Sequence, residues 1–284
     1  MSGRGLVGNA ETNATPPTAS EAQLGHRTLI AFNRALTHWS SRGALLESGG
    51  AVMCASGTWI PVVANGAFRS DDSLSGSSLV AAADAFFGSL NRGFAIKVRD
   101  SGQDEDLRAA CLEAGLELFG DPVPEMVCRS PLELPPPADG VTAGLVEDED
   151  GVRAFIDVNA QAYATYGMPA EVLVDVFDEL ATVLTDPAVS IVVARREEQP
   201  VAAAMLYESD GVASVQWVGT VPAARGTGLG ALVTVMVTNL AFSHGASSCS
   251  LQASPMGAPI YHSLGYQTMY HYEEYVRWPK PAAR

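Results

Sequence analysis

Positive charge is scarce in this sequence of 284 residues: 17 arginines and lysines stand against 32 acidic residues, a formal net charge of −15, and the lysines are Lys97 and Lys280 alone. Such a surface does not neutralise a row of phosphates, so nucleic acid is excluded as an expected partner, whereas cationic substrates such as amines are compatible with it. Cysteine is sparse as well. Cys54, Cys111, Cys128 and Cys249 stand far apart, without CxxC or Cys/His spacing, so neither a metal site nor a disulfide framework is expected. No uncharged apolar run reaches the about 18 residues of a membrane span. The nearest, residues 229–242, is interrupted by Thr234, Thr238 and Asn239. Residues 1–25 are polar and rich in Pro, Thr and Ala, without the apolar centre of a secretion signal, and read as a mobile tail. The expectation is a cytoplasmic protein with no membrane partner.

What is present is ample apolar material, 47% of the residues, enough for a sizeable core. The segment SPLELPPPADG (residues 130–140) divides the chain near its middle, because consecutive prolines neither continue a helix nor donate to a sheet. The expected organisation is a tail (1–25), a first domain (26–129), this linker (130–140) and a second domain (141–284). In the second domain, residues 151–166 and 170–184 carry apolar side chains at helical spacing. Three β-branched runs, residues 189–194, 201–207 and 212–221, are separated by REEQP and ESDG and read as an antiparallel meander. A long amphipathic helix follows from Leu229, then a strand from Cys249, a short helix from near Pro259 to Gly265, and terminal strands over residues 266–270 and 272–278. The fold class is α+β.

Shifting the sequence by 150 positions superposes Leu79, Ala82, Ala83, Phe86, Phe87 and Leu90 on Leu229, Leu232, Val233, Met236, Val237 and Leu240, and also Gly115 on Gly265. The same offset aligns residues 51–55 with 201–205. We read this as a duplication. At that offset Ser75, Ser78 and Val80 stand where Arg225, Gly228 and Gly230 stand, and Cys111 where Tyr261 stands, so the first copy keeps scaffold and lacks the chemistry of the second.

That chemistry centres on Val218-Gly219-Thr220-Val221-Pro222-Ala223-Ala224-Arg225-Gly226-Thr227-Gly228-Leu229-Gly230, a strand that enters a helix through a glycine-rich loop. Glycines let a ligand approach the backbone, and the free N–H groups at a helix start suit a phosphate or pyrophosphate. Arg225 adds a positive charge. The loop is not a Walker loop, since no Gly-Lys-Ser/Thr follows, nor a dinucleotide fingerprint, since its strand belongs to a meander.

At these residues the sequence resembles the GCN5-related N-acetyltransferase (GNAT) superfamily, with its R/Q-x-x-G-x-G/A signature after the fourth strand. A second motif, Leu251 to Tyr266, is similar to the family's strand followed by Y-x-x-x-G-F/Y. The resemblance spans about residues 141–278, and the first half resembles a degenerate copy, as in tandem GNAT proteins. It implies two GNAT-like domains, each a mixed, largely antiparallel sheet flanked by helices. It implies acetyl-CoA as cosubstrate, its pyrophosphate on the backbone of Gly226, Thr227, Gly228, Leu229, Gly230 and Ala231, and its pantetheine arm paired with Val218, Gly219 and Thr220. It further implies direct attack of a primary amine, on a small molecule or a protein, on the thioester, with Tyr261 as the acid for the leaving thiolate.

The departures from the family pattern concern two roles. Ser254 occupies the place where the family often has Asn, so a polar contact to the cofactor arm depends on its hydroxyl. The fourth strand carries no carboxylate, and Gln216 accepts no proton usefully, so the general base is unassigned. A non-catalytic acyl-CoA-binding or regulatory protein is the alternative reading, and a longer acyl group or a hydroxyl acceptor a third. The resemblance places acceptor contacts around residues 163–169 and 270–275; Glu273 and Glu274 read first as a solvated strand end and otherwise, with the aromatics beside them, as a receiver for a cationic amine.

Overall fold

The computed structural model describes residues 15–136 and 139–279, and the first element among them is helix α1 (Ala19–Leu36). This helix begins inside the stretch whose composition reads as a tail, because Thr18 and Glu21 form a reciprocal capping box. Residues 1–14 of the expected tail, 137–138 of the expected linker and 280–284 lie outside the described residues.

There follow β1 (Ala44–Ser48), β2 (Ala51–Ala55), the short α2 (Pro61–Ala64), β3 (Asn65–Arg69), α3 (Gly76–Ser89), β4 (Phe94–Arg99), α4 (Glu105–Glu113), β5 (Glu117–Leu118) and β6 (Val123–Cys128). After the linker come β7 (Val141–Leu145), α5 (Glu149–Ala164), α6 (Ala170–Val176) and α7 (Leu180–Thr185). The meander β8 (Val189–Arg196), β9 (Gln199–Ser209) and β10 (Val212–Thr220) is as expected, and α8 (Leu229–Ser243), β11 (Cys249–Gln252), α9 (Ala258–Leu264) and β12 (Gln267–Arg277) complete the elements of the described residues. The helix expected over residues 170–184 is broken in two. At the break the Glu179 N–H turns to the Trp39 carbonyl (3.0 Å), and the Asp178 carboxylate accepts the Ser41 N–H (2.7 Å), so contacts from the first half override the apolar stripe. The two expected terminal strands are one, β12, irregular between Thr268 and Tyr270.

Each half supplies a mixed, largely antiparallel set of strands flanked by helices, but the two sets form one sheet, in the order β1-β2-β3-β4-β12-β6-β11-β10-β9-β8-β7. The last strands are exchanged. β12, from the second half, pairs antiparallel with β4 of the first, and β6, from the first, pairs antiparallel with β11 of the second; the two meet at the centre. Around that centre the halves repeat one pattern: β3 and β4 are parallel and joined through α3, and β10 and β11 are parallel and joined through α8. Helices α1, α5, α6 and α7 cover one face, and α3, α4, α8 and α9 the other. Alternation along β2 shows the two layers, Val52 and Cys54 packing with Phe68, Tyr270 and Tyr272, and Met53 with Leu79, Phe87 and Ile96.

Ser75 caps α3 and Gly228 precedes α8, a spacing three residues longer than the one that joins Gly115 to Gly265. Ser75, not Ser78, therefore stands opposite Gly228. A slip of three residues leaves an amphipathic stripe nearly in phase, so the stripe alone does not reveal it.

Candidate functional site

The second-half loop is open where a ligand would approach. Gly226 and Gly228 have positive φ (74° and 80°), and a Cβ at either would meet nothing within 4 Å. The first bond of α8 runs from Leu232 N–H to Gly228 O, so the N–H groups of Leu229, Gly230 and Ala231 have no carbonyl of their own helix to reach. The Leu229 side chain anchors this first turn in the core, and Gly230 lets the turn lie against β10, where a Cβ would come 3.2 Å from Thr220 Oγ1. Thr227 ties the loop down by donating to Ala224 O (2.7 Å). The Arg225 guanidinium turns back to the end of α5, donating to Ala162 O and Thr165 Oγ1 (both 3.0 Å). Arg225 thus braces the loop, and the cradle itself is backbone.

Beside the loop the sheet opens. β10 and β11 pair only over Ala213–Val215 and Cys249–Leu251, and beyond that the strands part, leaving the β11 side of Val218, Gly219 and Thr220 unpaired. An irregularity between Gln216 and Gly219 bends β10 there, with Trp217 at φ 50°. Gly219 is required by close approach: a Cβ would fall 2.5 Å from Asn159 Oδ1 on α5.

Aromatic side chains gather at this gap from both faces. Tyr163 on α5 packs against Trp217 (ring centroids 5.5 Å) and Tyr166 (6.1 Å), and Trp217 also meets Phe177. Tyr261 comes from α9 on the opposite face, near Thr234 of α8, and burial pushes its phenol well above the ordinary tyrosine range, so it keeps its proton at neutral pH. Burial raises Tyr163 likewise, with smaller contributions from Tyr261 and Tyr166. Ser254 lies on the rim; its hydroxyl accepts the Gly257 N–H (3.1 Å) and the Tyr166 hydroxyl (3.3 Å).

All the residues singled out in the second half, Val218–Thr220, Arg225–Ala231, Ser254 and Tyr261, therefore border one gap. The acidic pair in the terminal strand does not. Glu274 is buried against Lys97 and Glu273 is bound by Arg108 (2.7 Å), while Tyr270 and Tyr272 lie in the core beneath α1. Sequence reasoning missed Arg196, whose guanidinium reaches Thr227 Oγ1 (3.4 Å), and Asn159, whose buried Oδ1 has no hydrogen-bond partner among the described residues. Arg196 has no signal in the sequence; Asn159 is visible as a polar residue inside an apolar stripe. His244, for which no carboxylate partner is evident in the sequence, faces Glu208 (2.9 Å), away from the loop at the turn between β9 and β10.

The corresponding gap in the first half is filled. β3 and β4 pair only over Gly66–Ala67 and Ala95–Ile96 before parting. Asp104 occupies the opening, bound by Arg69 and by Arg99 Nε (2.7 Å), all three buried. These guanidinium groups hold the Asp104 carboxyl far below the usual carboxylate range, against the opposing effect of burial. At the start of α3 the Asp106 carboxylate accepts the Gly76 N–H (2.7 Å), and a Cβ on Gly76 would strike the Leu107 backbone at 2.5 Å. A carboxylate of the chain itself sits where the second half leaves bare N–H groups.

Residues 137–258 match the sequence model of the acetyltransferase (GNAT) domain. Among solved structures the chain is similar to a GCN5-related N-acetyltransferase from Kribbella flavida (21% identity, TM-score 0.65, 90% of this chain and 96% of that one). It has the GNAT fold. A GCN5-related N-acetyltransferase from Sphaerobacter thermophilus (15%, TM-score 0.62, 94% and 96%) shares it across both halves. So does a tandem GNAT protein from the clavulanic acid biosynthesis pathway (13%, TM-score 0.57, 94% and 99%). No curated protein matches the sequence. The match takes in the open loop, begins within the linker and stops at residue 258, before Tyr261 and β12.

Proposed function

We propose that the protein is an acetyl-CoA-dependent N-acetyltransferase that acts through its second half on a primary amine, and that the first half is a degenerate GNAT copy. The observation that carries this reading is the open loop of Gly226–Gly228, with bare N–H groups at the start of α8, beside a β10 edge that β11 has released. These residues fit the cosubstrate: backbone N–H groups of Gly226–Ala231 for its pyrophosphate, the free edge of Val218–Thr220 for its pantetheine arm by strand addition. Acetyl-CoA would supply an activated acyl group. The chain's part is to align it and manage protons. Tyr261, neutral and buried at the gap, holds a proton for the departing thiolate, which is about as basic as an ordinary cysteine thiolate (pKa roughly 8.5).

The Tyr166–Ser254 hydrogen bond favours a second reading, a non-catalytic acyl-CoA-binding protein, because it engages the rim hydroxyl that would face the arm. Calorimetric titration with acetyl-CoA, followed by thiol release across a panel of amines, separates the two. One equivalent bound with amine-dependent thiol release supports the enzyme; one equivalent bound with no release supports the binding protein; no binding overturns both.

A further inference from the structure

The gap has an acid in Tyr261 but no carboxylate on β10. The strand exchange brings one from the other half. Leu251, opposite Val215, is the last β11 residue paired with β10, so Gln252 is the first residue on the β11 side of the gap. Its antiparallel partner on β6 is Glu125, and such partners present their side chains to the same face. That is the α1 and α5 face, since Glu125 also pairs with Tyr270, which packs beneath α1. Tyr261 approaches from the other side on α9.

We propose, resting on the acetyltransferase reading above, that Glu125 of the first half is the proton acceptor for the amine that attacks at the second-half gap. Glu125 is only 2% exposed, yet its Oε2 has no hydrogen-bond partner among the described residues, and neither has Nε2 of the facing Gln252. A carboxylate kept only for structure at the centre of a sheet has its lone pairs satisfied; here Ser250 and Gln252 lie close enough to favour the charged form, yet Oε2 is left without a well-formed bond. A polar row leads from it to the gap: Gln252, Ser250 two residues before, Ser214 paired with Ser250, and Gln216, whose amide donates to Ser214 (3.2 Å). Helix α1 crosses above with Gly25, where a Cβ would lie 3.4 Å from Glu125 Oε1.

The groups facing Glu125 leave it free to exchange a proton. Lys97 on β4 favours its ionised form but is tied to Glu274 and Gln252. Tyr270 and Tyr272 on β12 are pushed well above the ordinary range by burial and stay neutral. His26 on α1 is held neutral by burial, at about 4, and bonds Tyr272 (2.7 Å). Burial raises Glu125 itself to about 7, against the pull of Ser250, Gln252 and Lys97. In the reaction the amine nitrogen forms its bond to the acyl carbon, and its proton passes along the Ser214 and Ser250 hydroxyls to Glu125. The carbon–sulfur bond breaks, and the sulfur takes the Tyr261 proton. The Glu125 proton then passes to solvent and Tyr261 is reprotonated, leaving amide and free thiol.

Two measurements test this. In the ligand-free protein, carbon NMR of the glutamate carboxyls, with Glu125 assigned by its loss in Glu125→Gln, should show one carboxyl titrating near neutrality. In the loaded protein, thiol release from acetyl-CoA with water as the acceptor should rise with pH through the same range. Glu125→Gln should bind acetyl-CoA unchanged yet release thiol about a hundredfold more slowly, without that inflection, and Glu125→Asp should recover part of the rate. A Glu125 carboxyl that titrates with the ordinary carboxylates, or a variant that binds and keeps the wild-type pH profile, overturns the proposal and leaves the function standing. Failure of the wild type to bind acetyl-CoA overturns the function and the proposal together.

Discussion

The two gaps in the sheet are built alike and filled differently. In both, parallel strands joined by a helix pair over two or three residues and then part. Between β3 and β4 the opening holds Asp104 clasped by Arg69 and Arg99, and the helix start beside it is occupied by Asp106. Between β10 and β11 the opening is lined by tyrosines, and the helix start is bare glycine backbone. A parting of strands is thus a property of the fold; whether it receives a ligand depends on which side chains reach into it.

The largest effect should come from breaking the ionic plug. Asp104→Ala leaves two buried guanidinium groups without their shared partner and should cost about 3–5 kcal/mol of stability, read by urea unfolding. The opposite sign is expected at the centre of the sheet. The Glu125 carboxyl, raised from 4.5 to about 7 in the folded chain, leaves the protein progressively less stable as pH rises through that interval. Glu125→Gln should therefore be more stable than the wild type above neutrality, by up to about 3 kcal/mol, and should show no such gain at pH 4; thermal melts across pH check this. A substitution that stabilises the fold while slowing thiol release would separate function from scaffold.

The third change makes the open gap resemble the closed one. Gly228→Asp puts a carboxylate at the start of α8, in space where a Cβ touches nothing and in a left-handed conformation that Asp tolerates better than most residues. Acetyl-CoA affinity should fall by about two orders of magnitude, by repulsion and blocked N–H groups, while the left-handed backbone costs about 1 kcal/mol and lowers the melting temperature by only a few degrees. The smallest effect belongs to Asp106→Ala, at an exposed carboxylate, where solvent screening limits the loss to about 1 kcal/mol or less. It should create no second acetyl-CoA equivalent by calorimetry, because Asp104 and the Leu107 backbone still fill the first gap.

Local pattern made the second half readable. The meander, the glycine loop, the helix after it and the short helix bearing Tyr261 all rest on neighbouring residues, and the sequence marks each of them. Features that depend on distant partners were not visible. The break at Phe177–Glu179 is imposed by Trp39 and Ser41. The three-residue slip between Ser75 and Gly228 is hidden by the periodicity of an amphipathic stripe. Glu125 sits in an unremarkable strand, Val123–Cys128, and acquires its setting only when β11 and β12 close on either side of it. Arg225 stands in the motif as a charge for the ligand, whereas in the fold it is spent on the carbonyl end of α5, a contact decided by packing rather than by motif.

The exchanged strands also set an order of events on the ribosome. When β4 and β6 have emerged, the segment that belongs between them, β12, is still unmade, and it is the last regular element among the described residues. Until then the inner edge of β4 offers unpaired backbone groups to any extended segment nearby. The first half is thus translated early but finished late, and its final pairing joins residues as far apart as Phe94 and Arg277, which predicts slow, late closure and a nascent chain that depends on protection. A ribosome stalled just before β12 should carry a first half that proteases still cut, whereas the chain released from the ribosome should not be cut there.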